Sequence, residues 1–137
     1  MNHMKLIFDA RSENESFARS VVAAFFAALN PTVQEIEDVK TAVSEAVTNC
    51  IVHAYEGKQQ GDIEIECTLD ESKMIATILD HGKGIPDVKK AMEPFFTTLK
   101  NGERSGMGFT VMQAFCDSVD VVSEKDCTVV TLTKSVS

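Results

Sequence analysis

The stretch Asp80-His81-Gly82-Lys83-Gly84-Ile85, followed by Pro94-Phe95-Phe96-Thr97-Thr98 and then Arg104-Ser105-Gly106-Met107-Gly108, decides how the chain is read. An apolar run ending at Leu79 feeds straight into Asp80. Glycine lets a backbone turn sharply and lets a ligand come close with no Cβ in the way. Successive N–H groups in such turns form a cradle for anions. A helical pattern starts near Gly108, and its free N–H groups would add to that cradle. Either Gly-x-Gly pair alone is an ordinary turn. Two pairs, one opened by an acid at a strand end, describe a nucleotide pocket with Asp80 at one end and a phosphate-holding lid at the other.

Upstream of this stretch the periodicity is helical. Ser12-x-x-Glu15 reads as a capping box opening a helix to about Leu29, with Phe17, Val21, Ala24, Phe25 and Ala28 as its buried stripe. Asn30-Pro31 ends it, because the residue before proline avoids the helical region. A second box, Thr32-x-x-Glu35, opens a helix to about Tyr55 with Ile36, Val39, Val43, Ala46, Val47, Cys50 and Ala54 on one face. Lys5-Leu6-Ile7-Phe8, before the first helix, reads as a short strand.

Downstream of the second helix the period becomes two. Ile63, Ile65, Cys67 and Leu69 alternate with Glu64, Glu66 and Thr68, giving a strand with one wet face. Met74 to Leu79 is more uniformly apolar and reads as a central strand. Pro86 suits the first turn of a short helix through Met92, and Gly108 to Phe115 reads as a further helix. Ser118–Glu124 and Thr128–Thr133 read as a closing hairpin around Lys125-Asp126. Strands meeting in hairpins with the helices grouped define an α+β fold, a mostly antiparallel sheet with helices on one face. A Rossmann site is disfavoured, because the first glycine motif does not join the first strand to a helix.

The 137 residues make one domain, with core enough to need no staples. A net charge of −8 argues against nucleic acid as a partner. Cys50, Cys67, Cys116 and Cys127 are widely spaced, form no metal-binding pair and read as buried, reduced thiols of a cytoplasmic protein. No signal segment or bilayer-length apolar span is expected, and so no membrane association.

On the second helix, Glu45 and Asn49 lie four apart on one face, with His53 continuing the line and Thr48 beside it. Spacing alone leaves two readings open. One is a solvated helix face. The other is a magnesium–phosphate site, where the Asn49 carbonyl is a hard ligand and Glu45 a base.

Glu45-x-x-x-Asn49, Asp80-x-Gly82-x-Gly84 and Gly106-x-Gly108, in that order across nearly the whole chain, resemble the three boxes of the GHKL ATP-binding family. That family includes gyrase B-type topoisomerases, Hsp90, MutL-type proteins and bacterial histidine kinases. Within it, residues 10–19, Ser44–Asn49, Pro94–Thr98 and Glu103–Thr110 resemble the sporulation anti-sigma factors, which are also serine kinases.

The resemblance implies a two-layer sandwich of the GHKL (Bergerat) type, with a mixed, mostly antiparallel sheet, spanning residues 1–137 as one kinase domain. It implies ATP or ADP and Mg²⁺ as ligands. Asp80 would accept a hydrogen bond from the adenine amino group, while Gly82 and Gly84 let the backbone pass close to base and ribose. Asn49 would hold Mg²⁺, and Glu45 would be the general base for a serine hydroxyl. Arg104, Ser105, Gly106, Met107 and Gly108 would wrap the phosphates, with Thr97 and Thr98 as lid contacts. Arg19 would face a partner. The implied activity is that of a serine/threonine protein kinase. The implied partners are sigma factor F, an anti-anti-sigma factor carrying the acceptor serine, and a second copy of the chain in a homodimer joined through the first strand. His81 and Lys83 fill variable places in the motif, with His81 expected at the solvent edge and His53 in helix-end packing. The rival readings are a nucleotide-gated switch protein of a stress pathway and the catalytic half of a histidine autokinase. Against the autokinase stands the lack of a helical hairpin carrying an acceptor histidine.

Overall fold

The computed structural model describes residues 1–55, 61–82, 108–124 and 126–137. The chain runs β1 (Asn2–Asp9), α1 (Glu13–Phe26), a 3₁₀ turn (Ala27–Leu29), α2 (Val33–Asn49) and a π-helical turn (Cys50–Ala54). After these come β2 (Asp62–Asp70), β3 (Lys73–Asp80), α3 (Gly108–Phe115), β4 (Ser118–Glu124) and β5 (Cys127–Ser135). The short helix expected over Pro86–Met92 lies outside the described residues.

The five strands form one sheet in the order β1-β2-β3-β5-β4, and each neighbouring pair is antiparallel. β3 is central, as its uniform apolarity implied. The register sets inward-facing side chains in rows across the sheet. One row is Met4, Cys67, Ala76, Leu132 and Val119; the next is Leu6, Ile65, Ile78, Val130 and Val121. The last is Phe8, Ile63, Asp80, Thr128 and Ser123. Ile63, Ile65, Cys67, Met74, Ala76, Ile78, Val130 and Leu132 from these rows and their continuation are buried. Burying apolar surface is the main force closing such a sheet against its helices.

α2 is the helix against which the others are arranged, touching α1 on one flank and α3 on the other. Its start is a complete capping box. Glu35 N–H donates to Thr32 Oγ1 at 3.1 Å and Thr32 N–H donates to Glu35 Oε1 at 2.8 Å. Two N–H groups that a helix start leaves unpaired are thereby satisfied. Glu35 also accepts from Ser137 N–H at 2.9 Å, and these bonds hold its carboxyl below its ordinary value, chiefly through Thr32. Val39, Ala42, Val43, Ala46 and Val47 are buried, in agreement with the 3-4 spacing.

α1 corrects the sequence reading twice. Its buried residues are Ala18, Val22, Ala23 and Phe26, while Phe17 is 52% exposed and Ala24 is exposed. Apolar residues surround this helix, so periodicity alone could not rank its faces. The face carrying Ala18 and Ala23, whose small side chains allow close approach, is the one that packs. The Ser12 capping box is also not formed. Ser12 has helical dihedrals and its side chain makes no cap bond. Glu15 instead pairs with Arg19, Oε1 to Nη1 at 3.3 Å, and accepts from the hydroxyl of Ser44 on α2.

All four cysteines are free. Burial raises Cys67 to about 12 and Cys116 to about 11, so neither is a thiolate near neutrality. Cys50 and Cys67 are buried as expected, whereas Cys116 and Cys127 are only partly so.

Phe26→Ala should destabilise the fold by about 3–5 kcal/mol, as for a large ring removed from a closed core. Phe17→Ala should stay within about 0.5 kcal/mol. Urea unfolding of the two variants checks the assignment, and the reverse order would restore the other stripe.

Candidate functional site

The site forms where the end of β3 meets the end of α2. Because inward-facing residues of β3 alternate, Met74, Ala76, Ile78 and Asp80 share the helix-facing side. Asp80 therefore occupies a core position with a carboxylate and is only 3% exposed. Burial pushes its carboxyl above the ordinary value, while the Gly82 N–H, donating to Oδ1 at 3.1 Å, and the Cys50 side chain pull the other way. Cross-strand from Asp80 is Thr128, also buried, whose Oγ1 lies 2.8 Å from Ser123 Oγ. The inner sheet face thus turns polar in its last row over β3, β5 and β4, while Phe8 and Ile63 keep it apolar over β1 and β2.

α2 delivers its side chains to the same place through an altered last turn. At Cys50 the helix widens, and Tyr55 N–H donates to the carbonyl of Cys50, five residues back, at 3.0 Å. The sequence reading carried an α-helix through to Tyr55; the π-helical turn replaces its end. π-turns commonly sit at functional sites. Glu45, Asn49 and His53 are half-buried, at the edge of the core.

Two glycines are pressed against these helical residues. A Cβ on Gly82 would lie 2.3 Å from the carbonyl oxygen of Ala54. On Gly108 it would lie 2.9 Å from Nδ2 of Asn49. The bare backbone of Gly82 is therefore packed on the π-turn, and the start of α3 on the Asn49 amide. Asn49, Asp80, Gly82 and Gly108 meet around one helix end. Gly84, Thr97, Thr98, Arg104, Ser105, Gly106 and Met107 lie outside the described residues. His81 is exposed, as expected for a variable place in the motif. Arg19 lies on α1, with its guanidinium paired to Glu15 and its side chain 38% exposed.

Sequence reading missed Cys50 and Tyr55 as site residues. The Cys50 side chain neighbours the Asp80 carboxylate, and burial raises the thiol well above its ordinary value. The Tyr55 hydroxyl donates to the carbonyl of Asp62 and accepts from His81 N–H, both at 2.7 Å. Neither bond leaves a periodic trace in sequence.

A buried carboxylate at a sheet end, an amide one helix over and bare glycines between them define a nucleotide-site architecture, and comparison places it. Residues 8–134 match the histidine kinase-like ATPase domain family. The fold is also that of the catalytic domain of histidine kinase ThkA, with a TM-score of 0.61 at 14% identity over 98% of this chain and 96% of that one. The RsbU and RsbW domains of a Mycobacterium tuberculosis protein superpose with a TM-score of 0.72 at 18% identity, over 99% of this chain and 33% of that one.

Among curated proteins, the chain is 59% identical over 122 residues to the anti-sigma F factor of Caldanaerobacter subterraneus subsp. tengcongensis, covering 89% of this chain and 85% of that protein. It is 50% identical over 137 residues to the anti-sigma F factor of Bacillus licheniformis, covering 99% and 94%. The chain belongs to the histidine kinase-like ATPase family and, within it, to the SpoIIAB-type anti-sigma F factors. Among the described residues no helix is long and apolar enough to cross a membrane.

The raised Asp80 carboxyl makes a signed prediction. A carboxyl whose value is higher in the folded state favours folding below its unfolded value near 3.8. That contribution fades as pH rises through the folded value. Urea midpoints of the wild type relative to Asp80→Asn should therefore fall as pH is raised from acid to neutral. A parallel pair of pH profiles would show that Asp80 carries no such burial cost.

Proposed function

We propose that the chain is an anti-sigma factor that holds sigma factor F and, as a Mg-ATP-dependent serine kinase, phosphorylates and so inactivates a SpoIIAA-like anti-anti-sigma antagonist. The observation that carries the reading is the meeting of Asn49 with Gly108 on one side of the α2 end and of Asp80 with Gly82 on the other. A nucleotide laid across that end would have its base at Asp80 and its phosphates at Gly108.

In this reading Asp80 accepts from the 6-amino group of adenine, and Gly82 and Gly84 leave room for the base. Arg104, Ser105, Gly106, Met107 and Gly108 surround the phosphates, with Thr97 and Thr98 as lid contacts. The donor set suits magnesium. Asn49 offers one neutral oxygen, and Mg²⁺ commonly takes few protein ligands, completing its shell with phosphate and water. Among the described residues, no group of three or more His, Cys, Asp or Glu could form a protein cage instead. When bound, the ion would neutralise charge on the phosphates. Glu45, one helical turn before Asn49, takes the proton of the acceptor serine as its oxygen bonds the γ-phosphorus. The bond from that phosphorus to the bridging oxygen breaks, and ADP leaves. Positioning and charge neutralisation are the main demands of phosphoryl transfer.

Arg19 is assigned to partner contact. Its pairing with Glu15, which also binds Ser44 next to Glu45, places it near the catalytic helix. Phosphorylation of the antagonist adds charge to its docking surface and releases it.

A phosphotransfer assay with labelled Mg-ATP and the antagonist tests the reading. Label should appear on a partner serine and fall by at least about a hundredfold in Glu45→Ala, the low end of what a positioned base supplies. Label on this chain's own histidine would favour an autokinase. ATP binding without transfer would leave a nucleotide-gated switch.

We also assign β1 as the homodimer seam. It is an outer strand of the sheet, paired only with β2 among the described strands, and an open edge is a template for a second copy. Sedimentation at micromolar concentration should show a dimer, and a Pro substitution at Lys5 should weaken it. A monomeric wild type would remove the assignment.

A further inference from the structure

The π-turn and the Asp80–Gly82 turn touch at three successive points. At the first, the Cys50 side chain neighbours the Asp80 carboxylate, with both residues buried. At the second, Gly82 is packed so tightly on Ala54 that no Cβ fits. At the third, the Tyr55 hydroxyl accepts from His81 N–H at 2.7 Å and donates to the Asp62 carbonyl at 2.7 Å.

Asp62 opens β2, and Ile63 pairs with Asp80, so Tyr55 ties the helix end to the start of β2 and to the residue that follows Asp80, where β3 ends. The Tyr55 ring is itself held, since a Cβ on Gly61, at φ +106°, would meet it at 2.9 Å. A hydroxyl with both a donor and an acceptor partner is fixed in orientation.

We propose that Cys50 and Tyr55 are positioning residues that aim the Asp80 carboxylate and thereby set discrimination for the 6-amino group of a purine nucleotide. The inference rests on the reading of Asp80 as the base acceptor. The thiol, by donating to the carboxylate, limits its rotation about χ2. The phenol fixes the backbone turn that brings the Gly82 N–H onto Oδ1. What remains is an acceptor with one preferred direction, which an amino group satisfies and a 6-oxo group repels. A site built to hydrogen-bond one substrate group rejects the analogue lacking it, provided its buried polar atoms are held in place.

The test compares Mg-ATP with Mg-ITP, which carries a 6-oxo group, by calorimetric titration of the full chain. The proteins are wild type, Tyr55→Phe, Cys50→Ala and Cys50→Ser. Tyr55→Phe keeps the ring against Gly61, and Cys50→Ser keeps a donor. Wild type should prefer ATP. Tyr55→Phe and Cys50→Ala should each lower the ATP-to-ITP affinity ratio by about three- to tenfold, the worth of one hydrogen bond. ITP affinity should barely move, and Cys50→Ser should restore most of the ratio.

Equal losses for both nucleotides, or an unchanged ratio in variants that fold, would overturn the inference and leave Asp80 as base acceptor. A wild type that does not distinguish ATP from ITP would instead overturn the Asp80 reading and the inference with it. Thermal melts of each variant separate a folding defect from a change in ratio, and Cys50→Ser decides the matter if Cys50→Ala does not fold.

Discussion

The placement of a carboxylate in a core position at the end of β3 is the constraint on which the rest of the site depends. Strand alternation fixes it: with Ile78 inward, Asp80 must also be inward. A buried carboxylate needs hydrogen-bond partners, because desolvation disfavours its charge. The chain meets that need with the Gly82 N–H from its own turn, and the Cys50 side chain neighbours the carboxylate from the π-turn that follows α2. Both require α2 to end at the right height over the sheet. The capping box at Thr32 and the valine stripe of α2 therefore serve the site as well as the core.

The same helix separates the two halves of the site. Asn49 is the last α-helical residue and Cys50 the first of the π-turn. One points its amide toward the start of α3, and the other its thiol toward Asp80. A wider turn after Asn49 lets consecutive residues face opposite sides of the helix end. The two ends of the site are thus coupled through a single peptide bond of one helix, not through a loop.

Much of this was legible in sequence. The period-two pattern of β2, the apolar β3 and the Thr32 box gave elements whose bounds match closely. Asp80-x-Gly82 marked the site because an acid and a glycine directly after a strand are chemically conspicuous. α1 was harder, since Phe17, Val21 and Phe25 compete on equal terms with Ala18, Val22 and Phe26 until the neighbouring helix is in place. Glu15 misled for a related reason. The carboxylate bonds Arg19 one turn further along α1 and Ser44 on the neighbouring helix, not the Ser12 end of its own helix. The π-turn and the bonds of Tyr55 could not be read, because a bond five residues back leaves the apolar pattern unchanged and a bond across the sheet leaves none.

The pairing of β1 with β2 also orders events in time. α1 and α2 lie between these strands, so β1 can find its place only by closing a long loop around a helical hairpin. The contacts of α1 with α2 and of β2 with β3 join segments adjacent in the chain. Chain closure is costly before distant contacts repay it, so local units form first and distant pairs follow. The row that holds Asp80 begins at Phe8, so it is completed only when β1, separated from β2 by two helices, has docked.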